Sequence, residues 1–184
     1  MTDEDILCIE IAGLCHDLGH GPFSHLFDGR VLPALNNSHD FEHEHASIGI
    51  FELLIAENNL MPSFVANNLT SDDVHFIQEL ILGDKAEAPA GFEWVGRGNK
   101  SFLYDIVANK RNGIDVDKFD YFARDCHGLG LTKSFDAKRL MKFARLSKLQ
   151  FKFVFKFIFL KCLILQAECF QLLVLPLHWR YAFT

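Results

Sequence analysis

The residues able to do chemistry crowd into one stretch, Cys15-His16-Asp17-Leu18-Gly19-His20-Gly21-Pro22-Phe23-Ser24-His25. An adjacent His-Asp pair offers one imidazole nitrogen and one carboxylate oxygen to a single cation. Such mixed N/O ligation suits Zn, Fe, Mn, Co or Ni rather than Ca. A bare His-Asp dipeptide would mean little. Here three histidines, two glycines and a proline fall within ten residues, which favours function over coincidence. The glycine-rich backbone after the pair leaves room for water and substrate.

A metal site needs further ligands. They could come from Asn112-Gly113-Ile114-Asp115-Val116-Asp117-Lys118-Phe119-Asp120-Tyr121-Phe122-Ala123-Arg124-Asp125. On a helix, Asp117, Tyr121 and Asp125 share one face, with Phe119, Phe122 and Cys126 on an opposite, buried face. Read alone, this is either a ligand-bearing helix or a solvated acidic face. A third cluster is His39, Glu42, His43, Glu44 and His45. A His beside a carboxylate can shuttle protons near neutral pH, and it can equally be an ordinary surface pair.

Helices must carry these groups. Leu7, Ile11, Leu14 and Leu18 follow helical spacing, with Thr2 as a cap. Gly19, Gly21 and Pro22 break that helix. A short helical turn is expected at 23–27 and a loop from 30 to 40. The pattern predicts helices over 42–58, with Ile48, Phe51, Leu54 and Ile55 as its apolar stripe, and over 71–82, started by Thr70 or Ser71 and stopped by Gly83. Residues 84–99 read as loop, and 101–110, 116–126 and 135–145 as further helices. No strand alternation occurs before residue 146, so this part is all-α, a helical bundle of irregular connectivity.

The composition supports one domain. The chain has 184 residues, 49% hydrophobic and 23% charged, which excludes general disorder. Five cysteines, no CxxC pair and no basic-then-apolar leader point to free thiols in a reducing compartment, without a signal peptide. The net charge of −6 hides a split. Residues 1–145 hold 13 basic and 23 acidic side chains; residues 146–184 hold five basic and one acidic. Seven of the 19 Phe lie in that tail, where Phe151 to Phe159 alternate with Lys152, Val154, Lys156 and Ile158, a period-two strand signal that also resembles an aggregation-prone segment. Every membrane-length window in the tail contains Lys156, Lys161 or Glu168, so a membrane partner is not expected.

CHDLGHGPFSHLFDG at 15–29, NKRNGIDVDKFDYFARDC at 109–126 and SFDAKRLMKFAR at 134–145 closely resemble the HD-superfamily metal phosphohydrolases, in their SAM- and HD-domain-containing deoxynucleoside triphosphate triphosphohydrolase branch. The resemblance covers about residues 4–145. It implies an all-α, partial HD-domain bundle that splits dNTP into deoxynucleoside and inorganic triphosphate. It implies a Zn, Fe or Mn ion in the HD site, Mg with the nucleotide, and activation by GTP, dGTP or other dNTPs. Homotetramer assembly, a nuclear or otherwise cytosolic setting, antiviral dNTP depletion and nucleic acid as a further partner belong to the same implication.

Carried over by position, the resemblance makes His16, Asp17 and Asp117 metal ligands. His43 is the catalytic histidine supported by Glu44, and His20, His25 and Asp28 surround the phosphates. Lys118 holds a phosphate oxygen, Tyr121 and Asp125 face the sugar, and Arg139 lines an allosteric nucleotide pocket. The family's further metal-binding His has no counterpart, because no His precedes His16. Residues 146–184 do not resemble the family and are expected to be an unrelated tail, as from an aberrant splice or frame. The alternative is a catalytically dead HD-domain fragment acting only by binding subunits or nucleic acid.

Overall fold

The computed structural model describes residues 1–35, 41–98, 100–132 and 135–143. His39 and the segment 146–184, with the expectations attached to it, lie outside the described residues. Among the described residues every regular element is helical. The elements are α1 (Asp3–Cys15), a π-helical turn (Phe27–Val31), α2 (Leu32–Leu35), α3 (His43–Glu57), α4 (Met61–Ala66), α5 (Ser71–Leu82), α6 (Tyr104–Val107), α7 (Val116–Gly128) and α8 (Ala137–Phe143), with two short 3₁₀ turns. No described helix is long and apolar enough to cross a membrane. Cys8, Cys15 and Cys126 are free thiols.

Helix α5 is the hub, packing against α1, α3 and α6. Phe76, Ile77, Leu80 and Leu82 are buried with Ile9, Phe51, Ile106 and Val107 in one core. Burial of such side chains contributes about 1.5–3 kcal/mol each. The bounds of α5 match their local signals. The Thr70 backbone N–H and hydroxyl both donate to Asp73, each at 2.8 Å. At the other end Gly83 has φ +73°, where an L side chain is strained.

Four expectations need correction. The buried face of α1 is Cys8, Ile9 and Ala12, whereas Leu7 and Ile11 only flank the core and Leu18 is exposed beyond the helix end. Residues 30–35 are not loop: the π-helical turn runs straight into α2, whose second residue, Pro33, needs no N–H partner in a first turn. Helix α4 falls where none was expected, and its Pro62 is again in the first turn. The 101–110 segment is shorter than expected, a 3₁₀ turn leading into α6 and ending at Val107.

Buried carboxylates tie the loops to this core. Asp5 caps Thr2 and accepts from Lys100 Nζ at 2.6 Å. Asp73 pairs with Arg97. Glu79, 1% exposed, accepts from the backbone N–H of Val95 and Gly96 and from the Tyr104 hydroxyl. Burial alone would raise the pKa of Asp5 and Asp73, but hydrogen bonds from Lys100 and Arg97, with the capping bonds, hold both below 3.8. A folded-state pKa below the unfolded one stabilises above the unfolded value, and that stability is lost as pH falls through the folded pKa. The urea midpoint should therefore decline below about pH 4. Asp73→Asn should cost about 1.5–3 kcal/mol at neutral pH and flatten part of that decline. An unchanged acid limb in the variant would contradict the assignment.

Candidate active site

Helix α1 delivers His16 at its C-terminal end. The His16 Nδ1–H donates to the Gly13 carbonyl, in the last turn of the helix, at 2.8 Å. This fixes the ring and aims Nε2 away from the helix. Nε2 lies 3.1 Å from Asp17 Oδ1 and 3.4 Å from Asp117 Oδ1. His16 is 8% exposed. Burial would lower its pKa; the Asp117 hydrogen bond, the charges of Asp17 and Asp117 and the Gly13 carbonyl outweigh it and push it up to about 9. Asp117 moves the other way: burial would raise its pKa, and the His16 bond and charge with the nearby imidazoles hold it low. Two carboxylate oxygens facing one oriented nitrogen make a point that favours positive charge. One donor atom each from His16, Asp17 and Asp117 lies within 4.8 Å of the others. The donor set fits a divalent transition metal.

Helix α7 brings Asp117 in from 101 residues away. Asp115 caps it, accepting from the Lys118 N–H at 2.9 Å and, through its other oxygen, from the Asn109 N–H at 2.8 Å. That leaves Asp117 in the first turn, pointing at α1. Two turns on, Arg124 donates to Asp120 at 2.6 Å and reaches Asp17 Oδ2 at 3.3 Å. Arg124 thus braces one candidate ligand, a role its sequence position does not suggest.

A second cluster adjoins the first. The chain turns back through Phe23 and Ser24, both left-handed with φ +67° and +50°, a conformation that costs roughly 1–2 kcal/mol per L residue. This turn lays His25 against His20, ring centroids 4.9 Å apart. His20 stacks on His43 at 3.7 Å. His43 Nδ1 is 3.1 Å from Glu44 Oε2 and 3.8 Å from Asp28 Oδ2. Burial lowers the His43 pKa; the charge of Glu44 opposes this and the neighbouring His20 and His25 reinforce it.

Two groups lock the clusters together. Ser47, fully buried in α3, donates to the His16 carbonyl at 2.6 Å and accepts from the Gly19 N–H at 2.8 Å. Gly19 lies so close to α3 that a Cβ there would sit 2.2 Å from the His43 carbonyl oxygen and 2.4 Å from the Ser47 nitrogen. The period of α3 could have flagged Ser47, since it follows His43 by one turn.

The other expected residues are placed less centrally. Lys118 is half-buried beside Asp117, but its Nζ folds over Gly113, 3.1 Å from where a Cβ would stand. Tyr121 is half-buried and meets the Phe122 ring edge at 4.7 Å. Asp125 is exposed, two turns along from Asp117. Phe122 is 43% exposed, a correction to the expected buried face: Phe119 takes the stacking position on Phe135, at 4.8 Å, and leaves Phe122 at the edge. Arg139 is exposed on α8, and its N–H is capped by Asp136. His45 turns outward to the Glu87 carbonyl at 2.7 Å.

The family model for the HD domain matches residues 1–125. The chain belongs to the HD-domain family. His16, Asp17 and Asp117 all fall within the matched residues. The HD domain here is similar to the deoxynucleoside triphosphate triphosphohydrolase SAMHD1 of Gallus gallus, 54% identical over 149 residues covering 79% of this chain and 24% of that protein. The Homo sapiens protein of the same name is 52% identical over 149 residues, 79% of this chain and 24% of its own. A SAMHD1 homolog of Dictyostelium discoideum is 40% identical over 159 residues, 86% and 28% respectively. The chain spans about a quarter of the length of these curated relatives.

Proposed function

We propose that this HD domain carries the centre of a metal-dependent dNTP triphosphohydrolase, cleaving dNTP to deoxynucleoside and inorganic triphosphate. The observation that carries the reading is the meeting of His16, Asp17 and Asp117 at one point, with a histidine cluster alongside. Relatives at 50% identity or above that bear the triphosphohydrolase name support the substrate class. A divalent metal held by these three residues would supply Lewis-acid polarisation of the α-phosphate and an acidified water.

The chain's own side chains divide the remaining work. His20, His25 and Lys118 offset phosphate charge. Because His43 Nδ1 faces Glu44 and Asp28, its Nε2 is the atom free to protonate the leaving triphosphate oxygen. His43 has a lowered pKa. Triphosphate charge beside it would raise that value again, so the acid forms when substrate is bound. Tyr121 and Asp125 are assigned to the sugar, and Arg139 to activation by GTP or dNTP. A nuclear setting and tetramer assembly belong to the same reading.

Among the described residues the first cluster offers three protein donors, a thin ligand set. The purified 184-residue chain is therefore expected to turn over weakly. Incubation with dGTP and Mn²⁺ or Mg²⁺, with triphosphate detected by anion exchange, tests this. The expected result is a slow signal that disappears in Asp117→Ala. Robust turnover would mean that three ligands suffice. A signal indifferent to Asp117→Ala would overturn the assignment of the site.

A further inference from the structure

The two oxygens of Asp17 have different neighbours. Oδ1 lies among imidazoles, 3.1 Å from His16 Nε2 and 3.6 Å from His20 Nε2. Oδ2 meets Arg124 Nη2 at 3.3 Å. Asp17 itself stands in the turn beyond α1, where no helix sets its rotamer. Arg124, by contrast, is anchored. Its Nε and Nη2 both donate to Asp120 Oδ2, at 2.9 and 2.6 Å, one helical turn back. The Asp120 side chain is 13% exposed, so this anchor is mostly shielded from water. A guanidinium held at one carboxylate presents its remaining N–H groups in a fixed plane, as an ammonium would not. The pair therefore reaches from α7 to an oxygen 107 residues away in the chain.

We propose that Asp120 and Arg124 are a positioning pair for the first cluster: Asp120 fixes Arg124, and Arg124 occupies Asp17 Oδ2 so that Oδ1 alone is offered beside His16 and Asp117. The proposal rests on the metal reading of that cluster. A carboxylate held to one oxygen uses one coordination position and leaves others for water and phosphate. Outer partners of ligating groups commonly carry tenfold to a hundredfold in metal affinity. Charge alone predicts the opposite sign. Arg124 is a cation beside a cation site, so its removal by Coulomb's law should tighten metal binding. Positioning predicts weaker binding, and the two accounts part on direction rather than size.

The metal-free 184-residue chain is titrated with Co²⁺ at neutral pH, followed by calorimetry and by the visible absorption of the bound ion. Arg124→Ala should bind about tenfold to a hundredfold more weakly. At saturating Co²⁺ its spectrum should differ from the parent's, because Asp17 can then present either oxygen. Asp120→Asn should move both readouts the same way. The double variant should be no weaker than Arg124→Ala, as expected of two residues acting in series. Circular dichroism confirms the fold of each variant, and Asp120→Asn carries the test if Arg124→Ala does not fold. Unchanged or tighter binding in folded Arg124→Ala overturns the positioning pair and leaves the metal site standing. Weaker binding with the parent's saturated spectrum marks Arg124 as structural only, and also overturns the pair. A parent chain that takes up no Co²⁺, or loses none in Asp117→Ala, overturns the metal site and the pair with it.

Discussion

Asp117→Ala should weaken Mn²⁺ or Zn²⁺ binding at the first cluster by about two orders of magnitude. Structural metal sites gain roughly 10–16 kcal/mol from about four ligands, so one ligand is worth on the order of 3 kcal/mol, about a hundredfold in affinity. The loss is larger than for an ordinary surface carboxylate because of what remains. His16 keeps its Nδ1 bond to Gly13 and Asp17 keeps Arg124, so among the described residues the first cluster is left with two of its three donors. The control is Asp125→Ala on the same helix. It removes an equal charge two turns away, where the side chain is exposed. Calorimetric titration should separate the two, with Asp125→Ala within about threefold of the parent, as expected for a screened surface charge. Equal losses would mean that α7 presents a diffuse acidic face rather than a ligand.

Gly19→Ala should be the most damaging single methyl in the chain. The added Cβ would meet the His43 carbonyl oxygen at 2.2 Å, the Ser47 nitrogen at 2.4 Å and the Ala46 carbonyl carbon at 2.8 Å. All three are backbone atoms of α3, so no side chain can swing aside. The turn after His16 must lift off α3, which breaks the Gly19-to-Ser47 bond and carries His16 and His20 away from His43. Overpacking of this kind costs about 3 kcal/mol or more, a large share of the roughly 5–15 kcal/mol that stabilises a domain. Gly49→Ala is the matched control. Gly49 lies in the same helix with nothing within 4 Å of a Cβ, so Ala there should be neutral or stabilise by up to about 1 kcal/mol. Urea midpoints that fail to separate these two variants would refute the close-approach account. Metal affinity should fall with stability in Gly19→Ala and stay constant in Gly49→Ala.

Much of the fold was legible because its boundaries are written locally. Thr70, Asp73 and Gly83 bracket α5 by capping chemistry, and the structure places its ends there. Pro33 sits in a segment expected to be loop, and Pro62 opens α4 where no helix was expected, although a first turn accepts proline. Helix α1 is apolar nearly all round, so the spacing of Leu7, Ile11, Leu14 and Leu18 marks no single buried face. Spacing then cannot say which side α5 will cover, and Cys8, Ile9 and Ala12 won. In the site, residue types singled out His16 and Asp17 beside glycine, whereas only the family resemblance separated Asp117 from Tyr121 and Asp125 on the same helix face. Ser47 and Arg124 gave no such notice. Their partners lie 31 and 107 residues away, and a serine on a helix or an arginine near an aspartate is common for other reasons.

The 101-position separation of His16 and Asp117 has one more consequence. A cation gripped by both ends cross-links the chain across most of its folded length. Closing a loop of that size in the unfolded ensemble removes chain entropy worth about 4–5 kcal/mol in the usual cross-link treatment. The metal would then act as a removable staple between the first helix and the seventh, so the same ion that prepares the chemistry would also decide how tightly the bundle is held shut.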